Sequence, residues 1–433
     1  MARLGQDLTA VGANPAANKD GTIPAYGGMD KPLPGWVFGK TREDYSKSKS
    51  EKPLFVIDAA NVDKYADRLT PGQIQMLRQV KGYSMPVYET HRNCGVPDFV
   101  EKNTKAGALK SGIAKDGWSL ASATLPGVPF PVPQTGIEVM WNWLARYQGV
   151  GVEYQDVYTD ISPRAGSTNT LVTRLVIRSY FPWAQTGAHE PTDSQGLLSG
   201  FYYLYNEPAA LAGQGTMQRY YFNRDSESWY YFTGQRRVRR LPLYAYDAPV
   251  IGNENQYPAD TTYVFFGNPD RFDWKIVGKK EVYIPYNNFA IQNGSRKMED
   301  AMGTGSVSSA VRRYELHRVW EIEGTVKAGM RHSAPKKTLY LDEDSWIVAV
   351  GDDYDVQGKI WKAKENYITP EWELGACFTS GSTYNDLTSG RYVLDNVVMG
   401  TGKDIKFYLP GTTDTKFKDS YYTGENLGSI SDR

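Results

Sequence analysis

Residues 314–368 read YELHRVWEIEGTVKAGMRHSAPKKTLYLDEDSWIVAVGDDYDVQGKIWKAKENYI. Four runs in this stretch, 314–327, 336–342, 345–353 and 359–368, are rich in Val, Ile, Tyr and Trp and alternate apolar with polar side chains. A period of two marks a strand, because successive side chains leave it on opposite faces. Asp342–Asp344 and Asp355–Gly358 supply turns between the runs. Strands that follow one another without a helix between them predict a meandering antiparallel sheet, curled or closed like a barrel.

The same period extends N-terminally. "TLVTRLVIRSYFPW" (170–183), "GFYYLYNEP" (200–208), "TMQRYYFN" (216–223), "SWYYFT" (228–233), "TTYVFFG" (261–267) and "KEVYIPYN" (280–287) all read as strands. Before residue 150 the pattern changes. Ile137, Met140, Trp141, Leu144 and Tyr147 recur at helical spacing behind a Thr135–Glu138 capping box, which predicts an amphipathic helix over 135–148. The preceding "PGVPFPVP" (126–133) is held extended by its prolines. Two short helices are expected behind Asn61 and Thr70, and residues 1–55 read as extended, turn-rich chain. The predicted organisation is an extended and helical region, 1–125, wrapping a β-rich body, 126–433, in one compact domain.

Composition narrows the function classes. The 433 residues carry 49 basic and 49 acidic side chains. This balance argues against a dedicated nucleic-acid binder, whose affinity comes from displacing phosphate counterions. It does so even though "WYYFTGQRRVRR" (229–240) sets aromatics beside four arginines. No run of 18 apolar residues is present, so no membrane span is expected. The two cysteines, Cys94 and Cys377, leave a disulfide and two free thiols both open.

Motifs for catalysis fail on inspection. "MGTGKDI" (399–405) lacks a phosphate loop's first glycine, with Val397 in its place, and Asp404 follows Lys403 where Ser or Thr is needed. "DDYDVQGKIWKAKE" (352–365) resembles a calcium loop, but Gln357 and Lys364 occupy ligand positions, so a hairpin turn is expected. The four histidines are scattered, and His317 reads as structural. Glu321 and Glu323 share one strand face, as a pair of hydrolytic carboxylates or as a solvated surface. No catalytic residue, metal site or cofactor is predicted.

Aromatic supply is what remains. A curved sheet can enclose a ligand against such side chains. The candidates for a cavity are Trp141 and Leu144 on the helix, Tyr203, Tyr221, Trp229, Tyr231 and Val238 on early strands, and Phe265, Trp320 and Trp346 further on. Arg236 and Arg240 are candidates for its rim, where they would meet an acidic head group or a partner.

The blocks "LGQDLTAVGANPAANKDGTIPAYGG" (4–28), "PGVPFPVPQTGIEVMWNWLARYQG" (126–149), "WYYFTGQRRVRRLPLYAYD" (229–247) and 317–362 resemble a bacterial family, domain of unknown function 1329. That family is similar to the Lol carriers and receptors of outer-membrane lipoproteins. The resemblance implies a mainly β fold, a strongly curved, incomplete antiparallel barrel with covering helices. It further implies a non-enzymatic periplasmic carrier or adaptor for a lipid, acyl chain, sterol or terpenoid. Its signal peptide would be removed and Met1 added. Its implied partners are an exporter of the resistance-nodulation-division (RND) type and outer-membrane proteins. A scaffold between transporter components and a hydrolase using Glu321 and Glu323 are the alternatives.

Overall fold

The computed structural model describes residues 3–241 and 245–431. Up to residue 125 the elements are short: helix α1 (Arg42–Tyr45), strand β1 (Phe55–Ile57), helix α2 (Pro71–Gln79), strand β2 (Met85–Val87), helix α3 (Asp98–Gly107) and a small hairpin of β3 (Gly112–Ile113) with β4 (Leu120–Ser122). A capping box starts α2: the Thr70 hydroxyl accepts from the Gln73 amide at 3.1 Å, and the Gln73 side chain accepts from the Thr70 amide at 3.0 Å. The turn after Asn61 is a 3-10 helix, Val62–Arg68, because the Asn61 side chain is engaged by Asp58 and Val56 and caps nothing.

Helix α4 (Gly136–Leu144) has the Thr135–Glu138 box. It ends four residues before position 148. Arg146 turns back and donates Nη1 to the Trp143 carbonyl at 3.0 Å, closing the helix C-terminus.

Two antiparallel meanders follow. The first holds β5 (Gly151–Ile161), β6 (Leu171–Tyr180), β7 (Leu197–Glu207), β8 (Gly215–Tyr221), β9 (Glu227–Phe232) and β10 (Arg237–Arg240). The second holds β11 (Phe272–Pro285), β12 (Tyr314–Val326), β13 (Lys336–Asp342), β14 (Val348–Tyr354), β15 (Ile360–Glu371), β16 (Ala376–Asp386) and β17 (Arg391–Val397). Strand β17 pairs with β5 and fuses the two into one sheet. Strand β18 (Lys406–Tyr408) adds to the start of β5. Strands β1 and β2 join the same sheet at the start of β12, and edges remain at β1, β10 and β11, so the sheet is an open, incomplete barrel.

Strands β5, β16 and β17 were not singled out in the sequence. In β16, "ACFTSGSTYND", Ser, Thr and Gly blur the apolar alternation. Conversely, 261–267 is no strand. It belongs to the connection 245–271 between the meanders, which crosses the inside of the sheet. Its main chain is bonded by side chains of the sheet and of α4 instead of a neighbouring strand. Tyr384 Oη accepts from the Tyr263 amide at 3.0 Å. Asn366 Nδ2 donates to the Tyr263 carbonyl at 2.8 Å, Lys364 Nζ to Val264 at 3.0 Å, and Trp143 Nε1 to Phe265 at 2.8 Å. Buried main-chain polar groups need such partners. Tyr263 and Val264 sit at φ 51° and 69°, a left-handed backbone costly for a β-branched residue.

The same connection touches both meanders. Phe266 meets Tyr220 of β8 at 4.8 Å between ring centres, while Val264 packs on Leu339 and Gly351 of β13 and β14. The sheet is therefore strongly curved around it. On the convex side, helix α5 (Gly424–Ser431) covers β8–β10. Tyr422 fills the place where Gly200 of β7 has no side chain, and stacks on Tyr180 at 5.5 Å. Helix α2 covers the convex side of β14 and β15.

The extended N-terminal chain is tied down by ion pairs and a disulfide. Buried Arg42 pairs with Glu371 at 2.9 Å and Asp404 at 3.0 Å, so the Lys403–Asp404 stretch is a structural anchor. Cys94 and Cys377 are bonded, linking the N-terminal region to β16 across 283 positions. The 352–365 stretch forms the β14–β15 hairpin, with Asp355 accepting from the amides of Gln357 and Lys359.

Candidate ligand site on the concave face

Strand alternation decides which aromatics face the interior. On β7 it is Phe201, Tyr203 and Tyr205, and on β8 Gln218 and Tyr220. Together with Thr159, Leu175 and Ile177 they face Val250, Tyr257 and Phe266 of the connection, around a cavity of about 40 Å³. A second cavity of about 30 Å³ lies beneath the end of α4, lined by Trp143, Leu144, Phe181, Leu198 and Phe378 together with Arg146 and Gln148. Tyr220 and Phe266 line both cavities and form the partition between them.

Of the residues singled out by sequence, Leu144 and Tyr203 line these cavities. Phe265 is buried beside them, edge-on to Trp274 at 5.3 Å, and its neighbour Phe266 faces the space. Trp141 points the other way, donating Nε1 to the Trp118 carbonyl at 2.5 Å. Trp320 and Trp346 stack on each other at 5.9 Å, and Trp346 is sealed under the N-terminal chain by a bond to the Val11 carbonyl at 3.0 Å.

The remaining candidates lie on the convex face. Trp229 is in register with Met217 and Tyr202, and Tyr231 with Gly215 and Val238. Gly424 of α5 lies against the Trp229 ring, and Gly428 against Val238. Tyr221 is there as well, bonded to Glu227 at 2.5 Å with the Arg224 guanidinium 3.6 Å from its ring. One residue of parity separates Tyr221 from the lining Tyr220. Arg236 and Arg240 are exposed on the edge hairpin, away from both cavities, and Arg240 pairs with Glu227 at 3.1 Å.

Sequence reading missed the polar members of the concave face. Lys364 is fully buried between Asp353 at 2.7 Å and the Val264 carbonyl. Burial pushes its ammonium down to about 8 against the pull of Asp353. Asp260 of the connection is bonded to His332 at 2.8 Å and lies 3.9 Å from Lys337. Burial raises this carboxyl, but Lys337 and the hydrogen bond to His332 outweigh it and hold it below the usual range. These charges fasten the connection to β13–β15. Arg146 was also missed, and it has no ion pair among the described residues.

Glu321 and Glu323 lie on the opposite face of β12 and are partly exposed. Glu323 pairs with Lys336 at 2.7 Å, and Glu321 accepts from Tyr340 at 3.5 Å. Neither lines the two cavities. One buried group has the donors for a cation: His317, Asp342 and Asp344 offer atoms within 4.8 Å of one another. The Arg92 guanidinium already binds Asp344 through two bonds, at 2.7 and 2.9 Å, and His317 stacks on Tyr286 at 3.9 Å. The cluster is thus charge-compensated from within the chain. Among the described residues no helix is long and apolar enough to cross a membrane.

The sequence matches the family described as protein of unknown function (DUF1329) over residues 56–427. An uncharacterized protein of Pseudomonas aeruginosa is 36% identical over 403 residues, 90% of this chain and 86% of that one. Among solved structures, a putative outer membrane lipoprotein-sorting protein domain from Vibrio parahaemolyticus covers 68% of this chain and 98% of its own, at 11% identity and TM-score 0.46. A DUF1329 family protein from Desulfovibrio piger covers 64% and 92%, at 14% identity and TM-score 0.42. A LolA superfamily protein from Nitrosomonas europaea covers 67% and 100%, at 12% identity and TM-score 0.37. The extent of the family match makes this chain a member of the DUF1329 family.

Proposed function

We propose that the protein is a non-enzymatic periplasmic carrier or adaptor that takes a hydrophobic molecule on the concave face of its open barrel. The observation that carries this reading is the aromatic inner face of β5–β8, covered by a connection that forms no strand with it. The two cavities have room for only about two to four waters each, on the scale where about 10–15 Å³ admits one. This is a closed state, and a ligand enters as Phe266 and its neighbours move out. The segment is strained at Tyr263 and Val264 and has no strand pairing to the sheet, so its movement breaks side-chain bonds and no ladder.

The Cys94–Cys377 bond supports an oxidising compartment such as the periplasm. Cooperation with an RND-type exporter and outer-membrane proteins belongs to the same reading and rests on the family resemblance. Native mass spectrometry and solvent extraction of the purified protein test the proposal. A co-purifying lipid, or saturable binding of a hydrophobic probe, supports it. Absence of both, with the connection fully protected from hydrogen exchange, rejects it.

A further inference from the structure

Arg146 is an anomaly in the concave face. It is 8% exposed and lines the cavity beneath α4. Its guanidinium lies 3.7 Å from the Trp143 ring, donates Nη1 to the Trp143 carbonyl at 3.0 Å and Nη2 to Gln148 at 2.7 Å. No carboxylate forms an ion pair with it among the described residues, and its buried Nε has no hydrogen-bond partner. By contrast Arg42, Arg92 and Arg313, also buried, each hold at least one acid directly. Buried Arg312 has no ion pair among the described residues and an unpartnered Nε as well, but the Glu365 carboxylate acts on it, whereas no acid acts on Arg146. Burial alone pushes the Arg146 guanidinium down to about 9, with only Tyr263 and Tyr154 acting against it. A buried cation left without a counter-charge is costly, and a fold tolerates it where a ligand supplies the charge.

The surroundings indicate what kind of charge. The lining beside Arg146 is otherwise uncharged: Leu144, Phe181, Leu198 and Phe378, with the hydroxyl residues Ser179 and Ser199. One guanidinium fork matches one planar carboxylate through two parallel bonds. A phosphate dianion calls for further cations, and no other charged side chain lines this cavity. Beyond the Tyr220–Phe266 partition lies the aromatic cavity, with Phe201, Tyr203 and Ile177 on its wall. Head and tail spaces are therefore adjacent, separated by the Tyr220 and Phe266 rings.

We infer that the cavity beneath α4 binds the carboxylate head of a long-chain amphiphile on Arg146, with the chain running past Phe266 into the aromatic cavity. This deepens the carrier reading and rests on it. The test is calorimetric titration of the full, oxidised chain at neutral pH with dodecanoic acid, dodecanol and dodecyl phosphate, repeated on Arg146→Gln. The inference expects the wild type to bind the acid at least about tenfold tighter than the alcohol. It expects Arg146→Gln to lose that preference while still binding the alcohol. Equal affinity for acid and alcohol in the wild type, or a preference that survives in Arg146→Gln, overturns the Arg146 anchor and leaves the carrier reading standing. Dodecyl phosphate binding tighter than the acid overturns the carboxylate assignment. No binding of any of the three overturns both readings. If Arg146→Gln does not fold, the wild-type ranking of the three compounds decides.

Discussion

Lys364 donates to the main-chain carbonyl of Val264 at 3.0 Å while its ammonium pairs with Asp353 at 2.7 Å. One buried side chain thus joins the inner wall of the barrel to the connection that fills it. Lys364→Met removes that tie and leaves Asp353 with Lys337 alone, at 3.3 Å. Breaking a buried pair on one side costs about 3–5 kcal/mol. Urea denaturation is expected to show that loss, and hydrogen exchange is expected to quicken at residues 263–266 more than in β5–β8.

Phe266 and Trp229 separate the two faces of the sheet. Phe266→Ala joins the two cavities and is expected to raise affinity for an uncharged apolar dye such as Nile red, at a stability cost of about 2–3 kcal/mol for a half-buried ring. Trp229→Ala unseats α5 on the convex face and is expected to lower stability by a similar amount while leaving dye affinity unchanged. Parallel dye titrations and melts check the pair. Equal dye responses from both variants would contradict the assignment of faces.

The Cys94–Cys377 bond closes a loop of 283 positions, so its removal releases much chain entropy in the unfolded state. The double variant Cys94→Ala, Cys377→Ala is expected to lose about 2–5 kcal/mol. Its denaturation midpoint should be insensitive to reductant, whereas the wild type's should fall.

Asp160 is 4% exposed, and its Oδ1 has no hydrogen-bond partner among the described residues. Burial, helped by Glu299, pushes its carboxyl up to about 7. A carboxyl raised on folding costs nothing below its unfolded value near 4; the cost grows as pH climbs and is complete above 7. Asp160→Asn is therefore expected to stabilise at pH 8, by on the order of 2–4 kcal/mol, and to change little at pH 4. Denaturation at several pH values gives the difference curve. A gain that grows towards acid pH would refute the assignment.

Arg236 and Arg240 stand exposed on the edge hairpin of β9 and β10. Charges on an edge strand discourage pairing with another copy. Arg236→Gln with Arg240→Gln is expected to leave stability within about 0.5 kcal/mol, since the Arg240–Glu227 pair is solvent-exposed. The same change should increase light scattering at high protein concentration. Unchanged scattering would argue for another role.

Much of the fold was legible because its signals are local. Period two in 170–233 and 314–368 marks strands wherever they pair, and the Thr135–Glu138 box with its apolar stripe marks α4 by itself. The site was less legible. Trp229 and Tyr231 do share a face, as alternation requires, but alternation does not say which face is concave. That depends on α5 arriving from residues 424–431 to cover one side. "TTYVFFG" has the composition of a strand because apolar, β-branched and aromatic residues suit any buried segment. Its side-chain partners, Asn366, Lys364, Tyr384 and Trp143, are each about 100 residues or more distant.

The sequence by itself determined a meandering antiparallel sheet, one amphipathic helix, the absence of a local catalytic motif and the membership of a family. The tertiary structure alone decided that the cysteines are bonded, that the inside of the barrel is filled by its own chain, and that Arg146 stands there without an ion pair among the described residues. The physical reason is range. Strand period and helix caps are set by neighbours a few residues away, whereas burial, pairing and charge compensation depend on which distant segments fold onto the same face.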